Sequence, residues 1–139
     1  MHAPLYDVVH GLALDIANAS AAKNNELAVD AYDSLKELCE SQENSELNHP
    51  LQWEALGDFS ENHKDALKAY EKGLVSAEML GLSEYSASIK FAIAESFLEQ
   101  QSLSEAKKFA TEASAEANKT NDNELKTAIN EFLIEIERT

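Results

Sequence analysis

Apolar residues in this chain recur at intervals of three and four and never sustain an alternation at two, so the only long-range period is helical. No strand is expected. The last segment carries the pattern most clearly: Leu125, Ala128, Ile129, Phe132, Leu133 and Ile136 mark one face of a helix over about 123–138. Glu124, Lys126, Glu131 and Glu135 occupy the other face. Shorter stripes run through Val8, Leu12 and Ile16; Leu27, Ala31, Leu35 and Leu38; Leu67, Tyr70, Leu74 and Ala77; and Ile89, Ile93 and Phe97. Each apolar stripe needs a neighbouring helix to cover it.

Turn-forming and polar residues divide these stripes at Lys23-Asn24-Asn25, from Ser41 to His49, at Glu61-Asn62-His63, at Gly81, from Gln100 to Ser102 and from Lys119 to Asn123. Seven helices follow. Ser102 with Glu105, and Asn121 with Glu124, have capping-box spacing, and Pro50 suits the first turn of the helix that carries Trp53.

At 139 residues the chain is long enough for one domain with its own core, and its 44% apolar and 27% charged residues are those of a folded protein. Cys39 is the only cysteine, which rules out an internal disulfide framework or a cysteine-based zinc site and fits a reducing compartment. Met1 to Asp7 has no basic segment leading into an apolar run, and no run approaches the roughly 18 residues of a membrane span, so a cytoplasmic protein is expected. Twenty-six acids against 11 bases leave a net charge of -15. Such a chain is repelled by nucleic-acid backbones and anionic lipid and attracts basic partners, although part of the charge serves solubility.

A small residue recurs in the opening turn of alternate helices, at Ala28, Ala66 and Ala106, spaced 38 and 40 residues apart. Helices joined by a short loop approach closely there, and a large side chain would splay them. In the middle unit Trp53-x2-Leu56-Gly57 is followed by Ala66-x3-Tyr70; the third offers Ile93-Ala94-x2-Phe97 with Ala106, Ala110 and Ala113, and the first Ala28-x3-Tyr32. These residues resemble the tetratricopeptide (TPR) repeat, with its W-x2-L-G-x2-Y and A-x3-F pattern, over roughly residues 8–119. The resemblance implies an all-α fold: a right-handed superhelical stack of three antiparallel hairpins at about 5–42, 50–80 and 83–119, plus a capping helix at about 123–138, in one domain over 1–139. Departures from the family are a period nearer 39 than 34, Ser60 where the pattern has an aromatic, and a gap of 9 residues from Gly57 to Ala66 against 12 from Ala94 to Ala106, which predicts a shortened middle turn. HEAT-like arrays and a plain seven-helix bundle fit the same period.

No hydrolase elbow, P-loop, dinucleotide fingerprint or His-Asp doublet occurs, so no catalytic residue is assigned. Cys39 sits beside Leu38 in an amphipathic stripe and reads as packing. The lone E-x-x-H, Glu46 to His49, runs into Pro50 in a polar linker, so neither a metal site nor a cofactor is expected. Asn18-Ala19-Ser20 and Asn118-Lys119-Thr120 spell glycosylation sequons, with nothing directing the chain to a secretory route. Trp53 is expected in the core.

The acids carry the functional signal. Glu54 and Asp58 are i,i+4 neighbours with Glu61 following, and Glu95 and Glu99 repeat the pair; the TPR resemblance places all five along one groove. Phe91, Leu98 and Phe59 are candidate apolar anchors beside them. A binder of a basic protein is expected, a monomer or weak homodimer, of the immunity or antitoxin type that neutralises a basic toxin. A secretion or assembly chaperone or adaptor and a self-associating structural protein are the alternatives; a clamp for acidic chaperone tails is not expected, since it would need lysine and asparagine at these positions. An all-α enzyme requires a pocket holding a carboxylate of raised pKa, with Glu95 or Asp58 as acid or base.

Overall fold

The computed structural model describes residues 3–138; the first two residues and the last lie outside it. Seven helices follow one another without a strand among the described residues: α1 (Tyr6–Ala21), α2 (Asn25–Gln42), α3 (Pro50–Asp58), α4 (His63–Leu80), α5 (Ser83–Glu99), α6 (Leu103–Ala117) and α7 (Asn123–Glu137). The chain is all-α, as its periodicity requires.

Each helix packs on the next, and α3 also touches α1 and α5. One core cluster joins α1, α2 and α3 through Val9, Ile16, Leu35, Cys39, Trp53 and Leu56. A second joins α4 and α5 through Ala66, Tyr70, Ile89 and Ile93, and a third seats α7 against α5 and α6 through Ala87, Ala113, Ala117 and Ile129. Trp53 is 4% exposed, its indole N–H donating to Asn48 Oδ1 at 2.8 Å, in keeping with a core residue. Cys39 is fully buried, and burial pushes its thiol up to about 12, which makes it unreactive.

Three connections close in the same way. After α1, α4 and α5 a single residue turns left-handed, Lys23 at φ 58°, Gly81 at 68° and Gln101 at 61°. The next N–H, of Asn24, Leu82 or Ser102, then donates five residues back, to Ala19, Ala77 or Phe97 at 2.8–2.9 Å. Glycine stands at only one of the three, so the other two turns were visible in the sequence only as polar stretches.

Several local expectations shift. Val9, 2% exposed, faces the core in place of Val8, which is 52% exposed, and Leu27 also faces solvent. Asp122, not Asn121, caps α7, its carboxylate accepting from Leu125 N–H at 3.0 Å. Ser102 precedes α6, but its hydroxyl makes no cap bond, whereas Asn24, after the equivalent turn, accepts from Leu27 N–H at 3.2 Å. Pro50 opens α3 as expected, and His49 caps the same helix through Nδ1, which accepts from Leu51 N–H at 3.1 Å. The shortened segment of the middle unit lies in its helix: α3 has only 9 residues, whereas the α3–α4 connection, residues 59–62, is longer than that between α5 and α6, residues 100–102.

Candidate functional site

Because α3 stops one residue after Gly57, the chain turns into α4 beside the C-terminal half of α5 and leaves an open cleft of about 390 Å³. Asp58 at the end of α3 and Glu61 in the turn form one wall; Glu95 and Glu99, one turn apart on α5, form the other. Tyr70, His63, Asn62 and Ser96 complete the lining.

Gly57 makes the floor possible. A β-carbon there would clash with the Cδ1–Cε1 edge of the Tyr70 ring, so its absence lets α3 and α4 approach closely enough for Tyr70 to reach Asp58. The phenol donates to Asp58 Oδ1 at 2.6 Å. Across the cleft His63 Nδ1 and Ser96 Oγ lie 2.6 Å apart, with the His63 ring edge-on to Phe97.

Electrostatics follow from this crowding. Burial raises the Asp58 carboxyl above the ordinary range, partly opposed by the Tyr70 hydrogen bond. Burial also raises Glu95, reinforced by the charges of Asp58 and Glu99. Tyr70 is held far above the ordinary phenol value by its burial and by donating to Asp58. No lysine or arginine lines the cleft, and the ion pairs among the described residues use Lys72, Lys90, Lys107, Lys119 and Arg138 with acids elsewhere.

Of the seven residues read from the sequence as partner-binding, Asp58, Glu61, Glu95 and Glu99 meet in this cleft. Glu54 lies behind it, half-buried between α3 and α5, where Ser88 Oγ donates to its Oε2 at 2.5 Å. Its carboxyl is pushed up to about 7 by burial, with the Ser88 hydrogen bond opposing and the charge of Asp58 adding. Phe91 turns away from the cleft and packs edge-on against Phe132 at 5.4 Å, under α7, and Phe59 packs on the first core cluster. Leu98 is partly exposed but is not a cleft wall. An i,i+3 or i,i+4 stripe puts residues on one helical face without saying which neighbour that face meets.

Tyr70, His63 and Ser96 were missed as site residues. Tyr70 was visible as the aromatic of the packing repeat, but its bond to Asp58 spans 12 residues and that of His63 to Ser96 spans 33, so no local signal announced either.

Chemically the cleft is a set of acceptors. It suits ammonium, guanidinium and other donors, and it would raise the energy of any anion that formed in it. Among the described residues no group of three or more histidines, cysteines and acids is arranged to hold a metal ion, and no helix is long and apolar enough to cross a membrane. Comparison with family models, curated proteins and solved structures found no match.

Proposed function

We propose that this chain is a non-catalytic protein-binding module, built of TPR-like helical hairpins, whose acidic cleft receives basic side chains of a protein partner. The observation that carries the reading is the convergence of Asp58, Glu61, Glu95 and Glu99 on one open cleft while the chain's own paired bases lie elsewhere. Four uncompensated carboxylates around one opening attract a cationic surface at long range and accept its hydrogen bonds at short range. The buried Ala66 and Ala106, and the seating of Tyr70 on Gly57, support the hairpin-repeat reading. With so acidic a chain, an inhibitor of the immunity or antitoxin type, covering the basic surface of a toxin, is the favoured form; an export or assembly chaperone is the alternative.

The test is capture from the native cell at low and high salt, followed by titration calorimetry with the recovered protein. A basic protein bound in a salt-sensitive manner, and weakened roughly 10- to 100-fold by Glu95→Lys with Glu99→Lys, is the expected result. A partner that binds both proteins equally, or one that is acidic, overturns the reading.

One observation favours a catalytic alternative: a serine and a histidine in hydrogen-bond contact inside a cleft that also holds carboxylates of raised pKa. Against it, Ser96 lies within α5, where neighbouring backbone N–H groups are committed to the helix, and an oxyanion on its substrate would sit among four acids. Hydrolysis of an ester by the native chain that Ser96→Ala abolishes would reverse this preference.

A further inference from the structure

We propose that the groove between α1 and α2 seats an amphipathic helix of a protein partner, whose apolar residues enter the groove and whose lysines or arginines run along its flank. The seat shares no residue with the acidic cleft and stands whether or not that cleft binds a partner.

The groove, of about 510 Å³, is lined by α1, α2 and their connection alone. Trp53 and Leu56 of α3 pack into the core that this helix pair shares with α3, and no residue of α3 to α7 reaches the groove. Leu12 and Ala19 of α1, Ala22 just after it, and Leu27 and Ala31 of α2 make it apolar. Leu27 is 57% exposed, and Val8, one turn before Leu12, carries the apolar strip out into solvent. A lone exposed leucine would need no explanation, but here apolar residues of two helices line one concavity.

A helix suits this groove for two reasons. The main-chain groups of α1 and α2 are committed within those helices, so an extended peptide would find no main-chain partners, whereas a helix arrives with its own hydrogen bonds made. The same chain also displays the arrangement at α7. That helix rests on α5 and α6 over Ala87, Ala113 and Ala117, with Ile129 buried among them and Glu124, Thr127 and Glu131 exposed on its far side. Between α1 and α2 small residues of the same kind, Ala19, Ala22 and Ala31, line the groove, and no helix among the described residues covers them.

Charge selects which helix. Asp15 of α1 and Asp30 of α2 line the groove, and no lysine or arginine does. Glu26, Asp30, Asp33 and Glu37 recur along α2 at intervals of four, three and four, all exposed, which sets a row of like charge beside the groove. None of these five acids is in an ion pair among the described residues. A second copy docking through the same face would oppose two such rows, whereas a basic flank neutralises one.

The probe is a synthetic peptide of about 18 residues, leucine and lysine only, with its leucines at intervals of three and four. One control has the same composition with the leucines spread around the helix; the other has glutamate in place of lysine. Each is titrated into the isotope-labelled full chain and followed by amide NMR. The first peptide should shift the amides around Leu12, Ala19, Leu27 and Ala31 and bind roughly 10-fold or more tightly than either control. Leu27→Asp adds negative charge yet should weaken that binding roughly 10-fold, which attraction to net charge alone does not do. Asp15→Asn with Asp30→Asn should weaken it and flatten its salt dependence, and Glu95→Lys with Glu99→Lys should leave it within about twofold. Shifts centred on Asp58 and Glu95, a control that binds equally well, or an unweakened Leu27→Asp overturns the proposal. So does a dimer of the native chain in sedimentation that Leu27→Asp dissociates, since the groove would then belong to a second copy. If Leu27→Asp loses its helical circular dichroism, the shift map and the two controls decide.

Discussion

The ring of Tyr70 occupies the space that a β-carbon on Gly57 would need, so these two residues set the distance between α3 and α4 and aim the phenol at Asp58. Gly57→Ala must displace a buried ring and its hydrogen bond, while gaining the better helix propensity of alanine. A net loss of about 1–3 kcal/mol is expected in urea unfolding. A variant as stable as the native chain would show that α3 can retreat at no cost.

Tyr70→Phe keeps the ring against Gly57 and removes only its hydroxyl. Stability should fall by about 1–2 kcal/mol, because a carboxylate oxygen in a partly buried site loses its donor. The Asp58 carboxyl should rise further, since that hydrogen bond currently holds it down. Carboxyl titration by NMR reads the shift, and an Asp58 that titrates lower in the variant contradicts the assignment.

Stability should decrease as pH rises through the range from about 4.5 to about 7. Glu54 is held at about 7 in the folded chain against an ordinary 4.5, so between those values the folded state binds more protons than the unfolded one. Its proton-linked stability is complete below the unfolded value and is lost as pH climbs through the folded one. Glu54→Gln should flatten this slope and be more stable than the native chain by about 1–3 kcal/mol at the upper end. Denaturation midpoints across that range check both statements.

Lys23 and Gln101 hold left-handed backbones that glycine adopts without steric cost, as Gly81 does after α4. Lys23→Gly and Gln101→Gly should each stabilise by about 0.5–1 kcal/mol, the gain being reduced by the entropy of glycine in the unfolded chain. Gly81→Ala should cost about 1 kcal/mol. Melting temperatures of the three variants, compared at one pH, separate backbone strain from side-chain effects.

Phe91 belongs to the packing of α7 on α5, where it meets Phe132. Phe91→Ala should therefore cost about 2–4 kcal/mol of stability and leave the affinity of a cleft-bound partner within about twofold. Loss of binding without loss of stability would restore Phe91 to an interface.

Helix number and helix boundaries were largely legible before the structure, because periodicity, Pro50, Gly81 and the polar breaks are local signals that act within a few residues. Close packing was legible only as the recurring small residue at Ala28, Ala66 and Ala106; the seating of Tyr70 on Gly57 came from the structure. The site was legible only in part. Asp58, Glu61, Glu95 and Glu99 were grouped through the TPR resemblance, which assigned Glu54 to the same groove with Phe91 beside it, although Glu54 is half-buried behind the cleft and Phe91 faces α7.

By itself the sequence determined the helical class, the strong negative charge and the alternation of faces along each helix, since these depend on composition and on intervals of three and four. Tertiary structure alone decided which acids share a cleft, which phenol and hydroxyl serve them, and that α3 ends early enough to leave the cleft open. The reason is physical: a helix brings residues together over one turn, whereas contacts such as His63 with Ser96 and Ser88 with Glu54 exist only once separate helices have packed.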